Sequence, residues 1–269
     1  MQDALGYEGR RAVVTGAASG MGAATAQLLV ELGADVVALD LRPTRGFAAN
    51  LEVDLRDQDS IEAAVAAIDG PIDAVCSCAG LPGEPFSDLD VMLVNVVGAR
   101  HLIELLVPKM SPGGAITTIA SAAGIGWQDR MDLWTGLVSS DGFAAGKAWC
   151  EANPEAIASG YFPSKQAMNA WVAWRSYTLI AEGIRLNCLN PGPTDTPMMP
   201  SFEDQVGAEL IDEFAKPIGR RSTAEEQAWP MVVLNSPRLS YVTGAAFYAD
   251  GGFFAGVQAG QSGDGVGYA

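Results

Sequence analysis

The sequence predicts an α/β fold: a doubly wound parallel sheet with helices on both faces. Three observations carry this reading. Short, nearly all-apolar runs alternate with segments of helical spacing along most of the chain. The runs are rich in valine, isoleucine and alanine from end to end, as strands are when both faces of their sheet are covered. The first run passes through a glycine-rich turn straight into the first helical segment.

The series opens with "RRAVVTG" (10–16), a β-branched run that ends in glycine. "AATAQLLVELGA" (23–34) sets Ala26, Leu29, Val30 and Leu32 at helical spacing and stops at Gly33. "DVVALD" (35–40) is the second strand. A helical pattern runs from Ser60 in "SIEAAVAAIDG", and "IDAVCSCAG" (72–80) is the next strand. A helix near 88–110, a strand at "GAITTIAS" (114–121), a helix after Tyr161 and a strand at "IRLNCLNPG" (184–192) continue the alternation. A helix near 223–235 leads to the closing strand, "GAAFYADGG" (244–252). No repeat or low-complexity linker divides the series, so all 269 residues read as a single domain. Within it, 127–158 is an insertion, 194–216 a substrate loop and 255–269 a glycine-rich tail, expected to be mobile or ordered by a partner.

Composition narrows the function. Of the residues, 49% are apolar and 18% charged, which suits a large core. The formal charge of −16 repels nucleic-acid phosphates and anionic lipid heads, so neither is expected as a partner. No apolar run reaches the roughly 18 residues that span a bilayer. "MQDALGYEGRR" carries no apolar stretch behind a basic start, and a cytoplasmic protein is expected. Cys76, Cys78, Cys150 and Cys188 form no metal-ligand pattern and read as free thiols, and no metal is expected.

"TGAASGMG" (15–22) sits where the first strand hands over to the first helix. Glycines there allow a tight turn and a close approach of pyrophosphate to the backbone. The helix start adds free N–H groups and the positive end of its dipole. Gly16, Ser19, Gly20, Met21 and Gly22 are therefore candidate cofactor contacts. Asp40 ends the second strand 24 residues beyond Gly16, where a carboxylate meets an adenosine ribose, with Leu41 beside it. A carboxylate repels a 2′-phosphate, so NAD is expected over NADP. Arg42 could swing toward a phosphate and is the one contrary signal.

The spacing T-G-x-x-x-G-x-G resembles the short-chain dehydrogenase/reductase family, and further matches follow in order. "VDL" (53–55) resembles the segment that places an aspartate, here Asp54 with Leu55, beside the adenine. "SCAG" (77–80) resembles the N-N-A-G strand end, with Ser77 and Cys78 in place of the asparagines and Ala79 and Gly80 kept. "VNVVG" (94–98) supplies Asn95, "IASAAG" (119–124) supplies Ser121, and "YFPSK" supplies Tyr161 and Lys165. "NPGPTDTP" (190–197) matches the stretch that holds the nicotinamide, through Pro191, Gly192, Thr194 and Thr196, and "YADGG" (248–252) matches the closing strand. The resemblance implies a Rossmann-type fold, a nicotinamide cofactor, an alcohol dehydrogenase or ketone reductase, and a homodimer or homotetramer. It also implies that Asn95 relays a proton through water and that Lys165 binds the nicotinamide ribose.

Spacing by four puts Tyr161 and Lys165 on one helix face, and Pro163 is tolerable only in a first turn. Gly160 lets the chain turn sharply into that helix. Oxidising an alcohol requires loss of its proton as hydride leaves carbon. Free tyrosine, with a pKa of about 10, is too weak a base near neutrality. The Lys165 ammonium and a cationic nicotinamide ring are expected to lower it by about 2–3, equivalent to roughly 3–4 kcal/mol. Tyr161 is then general base or acid, and Ser121 holds the substrate oxygen. Ser139, Ser140 and Ser159 compete with Ser121, but only Ser121 ends a strand on the ligand side of a parallel sheet.

Ser121 and Tyr161 are 40 residues apart, an unusually long connection. The extra stretch, 127–153, reads as two short helices split by "SSDG" and stopped by Asn153-Pro154. A similar extension, and the "CAG" strand end, resemble bacterial 3α-hydroxysteroid dehydrogenase/carbonyl reductases. Trp127, Trp134, Phe143 and Trp149 could wall the substrate or form a subunit surface. In 197–216, Met198, Met199, Phe202 and Phe214 are expected to line an adaptable apolar pocket, with no Lys or Arg before Lys216. An apolar alcohol or ketone, steroid-like or cyclic, is the expected substrate. Two other classes stay open: a nucleotide-binding sensor without turnover, and a related epimerase or dehydratase, whose glycine turn is usually spaced differently.

Overall fold

A computed structural model describes residues 3–261. In chain order its elements are β1 (Arg11–Thr15), α1 (Gly20–Glu31), β2 (Asp35–Asp40), β3 (Ala49–Glu52), α2 (Gln58–Ala66) and β4 (Ile72–Ser77). Then come α3 (Asp88–Met92), α4 (Ala99–Leu106), β5 (Met110–Ile119), α5 (Met131–Val138), α6 (Gly142–Ala152) and α7 (Tyr161–Leu179). The chain continues through β6 (Arg185–Pro191), β7 (Thr194–Asp195), α8 (Met199–Val206), α9 (Ala208–Ala215), β8 (Ser222–Thr223), α10 (Ala224–Asn235), β9 (Ala246–Ala249) and α11 (Phe253–Gln258).

Seven strands form one sheet in the order β3-β2-β1-β4-β5-β6-β9, every neighbouring pair parallel. Alternation along each strand sends side chains into two apolar clusters. Val13, Val37, Val75 and Ile116 meet α2, α4 and α7 on one face. Ala12, Val14, Ala38 and Ala74 meet Ala26 and Leu29 of α1 and Met231 of α10 on the other. This is the doubly wound α/β sheet that the apolar runs predict. Its topology reverses between β1 and β4, where a crevice opens beyond the carboxyl ends of the strands.

Several elements depart from the sequence reading. β3 carries no β-branched residue and alternates between half-buried and exposed positions at the sheet edge, so it gives no strand signal of its own. The helical stretch Asp88–Lys109 is 22 residues long and contains an 18-residue window with a mean hydropathy of 1.5, enough to cross a membrane by length and composition. It is a core helix instead, 78% buried within the fold. Midway it widens into a π-helical turn at Leu93–Gly98, and Gly98 lies where a Cβ would stand 1.9 Å from the Leu55 carbonyl oxygen. The head of the expected tail folds as α11, with Phe253 buried against Phe214. The rest of that tail from 262 onward lies outside the described residues.

Candidate active site

The glycine turn joins β1 to α1 as read. Gly16 has φ +70°, and a Cβ there would stand 2.7 Å from the Ala79 nitrogen. A Cβ on Gly22 would stand 2.1 Å from the Gly16 carbonyl oxygen. Neither position accepts a side chain. Thr15, passed over in the sequence, ties the two strand ends together: its Oγ1 accepts N–H bonds from Cys78 at 3.1 Å and Ala79 at 3.2 Å. Ser19 and Met21 flank Gly20 at the helix start, and Gly20 packs against the Thr196 side chain.

Asp40 closes β2 almost buried, at 8% exposure. Its carboxylate accepts bonds from the Ala18 nitrogen at 3.0 Å and the Arg42 nitrogen at 2.9 Å, so it is held facing the turn. Leu41 beside it is exposed. The Arg42 guanidinium crosses to donate to Ser19 Oγ at 2.6 Å, which puts the contrary signal of the sequence at the helix start itself. Asp54 is gripped by Arg56 at 2.7 Å, which holds its carboxyl below the usual range. The Leu55 side chain points into the core, so only its backbone can face a ligand.

Across the crevice, α7 begins at Tyr161 with Pro163 in its first turn, preceded by Ser159 and Gly160 at φ +70° and +52°. Gly160 is free of a side chain where a Cβ would press on Asp88. Tyr161 and Lys165 share one face, as their spacing requires. Lys165 is 4% exposed; its Nζ lies 5.2 Å from the Tyr161 ring centroid and donates to the Ile119 carbonyl at 3.3 Å. Ser121 follows β5, and its Oγ accepts the Ala123 N–H at 3.1 Å, leaving its own proton free to donate.

In the protein alone, burial dominates the electrostatics of the Tyr161/Lys165 pair. Burial pushes the Tyr161 phenol up to about 12, with the neighbouring Ser121 hydroxyl acting weakly the other way. Burial also pushes Lys165 down to about 8. The Lys165 Nζ lies 5.2 Å from the ring centroid, and in the protein alone burial sets the phenol. Desolvation outweighs attraction for both groups.

Asn95 sits in the π-helical turn, 3% exposed. Its Oδ1 accepts from the Leu81 nitrogen at 2.7 Å, and its Nδ2 donates to the Leu81 carbonyl and to Ser164 Oγ, both at 3.0 Å. Ser164 in turn donates to the Tyr161 carbonyl at 2.6 Å. The side chain is thus a brace between the loop after β4 and the start of α7. Gly80 packs directly against it: a Cβ there would lie 3.2 Å from Asn95 Oδ1.

Pro191 ends β6 and Gly192 follows it, packed so closely that a Cβ on Gly192 would stand 2.8 Å from Asp250 Cα. Thr194 is buried and donates to the Gly192 carbonyl at 2.9 Å. Met199 is buried and Met198 half-buried. Phe202 of α8 meets the Tyr161 ring edge-on, centroids 4.7 Å apart, whereas Phe214 turns away to Phe253 at 4.9 Å. Arg221, missed in the sequence, holds α8 and α9 in place: it bonds Glu203 at 2.6 Å and Asp212 at 2.8 Å, with Asp195 at 3.8 Å.

The insertion forms two helices, α5 and α6, broken at 139–141. Trp134 and Phe143 are 0% and 6% exposed and belong to the main core, packed over α4 and α7. They serve neither of the two uses expected of them. Trp127 and Trp149 are only partly buried.

The family profile described as short chain dehydrogenase matches residues 10–131, and one described as Enoyl-(Acyl carrier protein) reductase matches residues 151–254. A coniferyl-alcohol dehydrogenase of Pseudomonas sp. (strain HR199 / DSM 7063) is 32% identical over 90% of this chain and 96% of its own. The chain belongs to the short-chain dehydrogenase/reductase family. A 3-alpha-hydroxysteroid dehydrogenase/carbonyl reductase of Comamonas testosteroni is 30% identical over 89% of this chain and 95% of its own. The crystal structure of the 3-alpha-hydroxysteroid dehydrogenase from Pseudomonas sp. B-0831, complexed with NADH, superposes with a TM-score of 0.79. It is 25% identical, covering 94% of this chain and 100% of that one. Short-chain dehydrogenase/reductases are oxidoreductases that bind a nicotinamide cofactor.

Proposed function

We propose that this protein is an NAD-dependent dehydrogenase that interconverts an alcohol and a ketone on an apolar, cyclic or steroid-like substrate. One observation carries the reading. The fold brings Ser121, Tyr161 and Lys165 to one crevice although 40 residues separate Ser121 from Tyr161. The residues present fit a nicotinamide dinucleotide. Gly16, Gly22 and Gly192 let neighbouring backbone close tightly around the turn, and Asp40 faces that turn where ribose hydroxyls would lie. When bound, the cofactor accepts or supplies the hydride and brings a positive ring to the site.

The chain's own residues do the rest. Ser121 donates its free proton to the substrate oxygen and fixes its height. Tyr161 exchanges a proton with that oxygen. Its high pKa in the protein alone means that its phenolate forms only where further positive charge is added beside it. Lys165, with its low pKa, gives up or takes a proton near neutrality and sits well for the ribose and for Tyr161. Phe202, Met198 and Met199 form the apolar side of the substrate space. Arg221, which ties α8 to α9, is occupied by acidic partners, which disfavours a carboxylate or phosphate on the substrate. Relatives named for coniferyl alcohol and hydroxysteroids favour the same class. A homodimer or homotetramer fits the exposed Trp174, Tyr177 and Trp229, and a cytoplasmic location fits four unpaired thiols.

The test mixes protein and NAD with coniferyl alcohol, cyclohexanol and a 3α-hydroxysteroid, and follows reduced cofactor by absorbance. Turnover with at least one, abolished by Tyr161→Phe while cofactor binding persists, is the expected result. Full activity in the Tyr161→Phe variant would remove the proposed base.

A further inference from the structure

Two asparagines behind the catalytic crevice make no contact with the space in front of it, yet touch the backbone of two proposed catalytic residues. Asn169 lies one turn past Lys165 on α7, and Asn190 lies near the end of β6; they are 1% and 0% exposed. Their amides face one another. Asn169 Nδ2 donates to Asn190 Oδ1 at 2.9 Å, and Asn190 Nδ2 donates back to Asn169 Oδ1 at 3.1 Å. The second Asn169 proton goes to the Lys165 carbonyl at 2.9 Å, and Asn169 Oδ1 also accepts from the Cys188 thiol at 3.1 Å. Asn190 Oδ1 also takes the Ser121 backbone N–H at 3.2 Å.

That last bond sits where the sheet runs out. The β5–β6 ladder ends with the Ala120 nitrogen donating to the Leu189 carbonyl at 2.8 Å. The next donor, Ser121, finds a side chain in place of a strand. The turn after Ser121 then lies directly on Asn169, because Gly124 has no side chain where a Cβ would stand 2.6 Å from Asn169 Nδ2 and 2.8 Å from the Lys165 carbonyl oxygen. A buried amide with every partner satisfied has a single low-energy arrangement, and it passes that rigidity to what it holds.

We propose that Asn169 and Asn190 are positioning residues that lock the Ser121 turn to the Lys165 turn of α7, so that the Ser121 hydroxyl meets the substrate oxygen at the height of the Tyr161 hydroxyl. The proposal rests on the catalytic reading of Ser121, Tyr161 and Lys165. Asn190 acts through Ser121, so its effect exists only while the Ser121 hydroxyl does. A merely structural asparagine would act whether or not that hydroxyl is present.

The experiment is a double-mutant cycle of Asn190→Ala and Ser121→Ala in the full chain, assayed with NAD and the alcohol probe turned over fastest among coniferyl alcohol, cyclohexanol and a 3α-hydroxysteroid. Asn190→Ala is expected to lower kcat by about tenfold or more, with KM and the NADH dissociation constant within about twofold of the parent, as a displaced catalytic group does. In the Ser121→Ala background the same change is expected to cost less than about twofold. Losses that multiply in full, or an unchanged kcat in Asn190→Ala, overturn the proposal. If Asn190→Ala does not fold, Asn190→Ser carries the same cycle with one hydroxyl kept at the site. Tyr161→Phe is run alongside: activity surviving there refutes the catalytic reading, whereas activity lost there together with multiplicative losses refutes the positioning role alone.

Discussion

Arg221→Met should loosen the cover over Tyr161 without touching the nucleotide side. The guanidinium is 17% exposed and bonds Glu203 of α8 at 2.6 Å through Nη1, and Asp212 of α9 through both Nε and Nη2 at 2.9 and 2.8 Å. A single exposed pair contributes about 0.2–1 kcal/mol, and a bidentate one sits at the upper end. The two partners together contribute roughly 1–2 kcal/mol. With tenfold per 1.4 kcal/mol, that is about a 5- to 30-fold rise in the open population. Methionine keeps most of the apolar stem, so the change isolates the charge. Amide hydrogen exchange in α8 and α9 should accelerate by that factor while β1, β4 and β6 stay protected. KM for the alcohol should rise and NADH affinity should not. Raised salt should loosen the same helices in the parent protein and have less effect in the variant. Unchanged exchange in α8 and α9 would mean that Met199, Ile211 and Ala215, all buried, hold the lid alone, and the ion-pair account would fall.

Two further outcomes follow from the site. Asp40→Ser should shift cofactor preference toward NADP, since a carboxylate about 4 Å from a 2′-phosphate repels it by on the order of 1–4 kcal/mol. The ratio of kcat/KM for the two cofactors should therefore move tenfold or more, and an unmoved ratio would show that Arg42 already sets the preference. Lys165→Met should change how stability depends on pH. The folded pKa of Lys165, about 8, lies below the ordinary lysine value of 10.5, so between these values the unfolded chain holds the extra proton and stability rises with pH. The melting temperature of parent relative to variant should climb from pH 8 to pH 10 in cofactor-free protein, and a flat difference would place the lysine in contact with water.

Much of the site is legible in the residues because its chemistry demands particular side chains at particular strand ends. Gly16, Gly22 and Asp40 are forced by close backbone approach and by charge, and Tyr161 with Lys165 by helical spacing and Pro163. What stays hidden has a physical cause in each case. β3 lacks branched residues and borrows its conformation from β2. Thr15 and Asn190 act on the backbone of distant segments, Ser164 and Asn169 bond distant side chains, and no local pattern marks such contacts. Trp134 and Phe143 look like surface or pocket aromatics until the helices carrying them are folded against α4 and α7. The degree of burial that raises Tyr161 and lowers Lys165 in the protein alone is a property of the packed site, and no residue pattern reports it.

The insertion is fastened from beneath by Arg100 of α4. This side chain is 6% exposed, its pKa pushed down to about 10 by burial, and it donates to the Leu137 and Ser140 carbonyls that end α5. The segment 127–153 is therefore no detachable appendage that evolution or an engineer could trim to reach a shorter relative. Cutting it would strand a guanidinium in a hydrocarbon floor and strip the cover from α7, the helix that carries Tyr161. Loop and core have become mutually indispensable, and any shortened version must first give up the arginine.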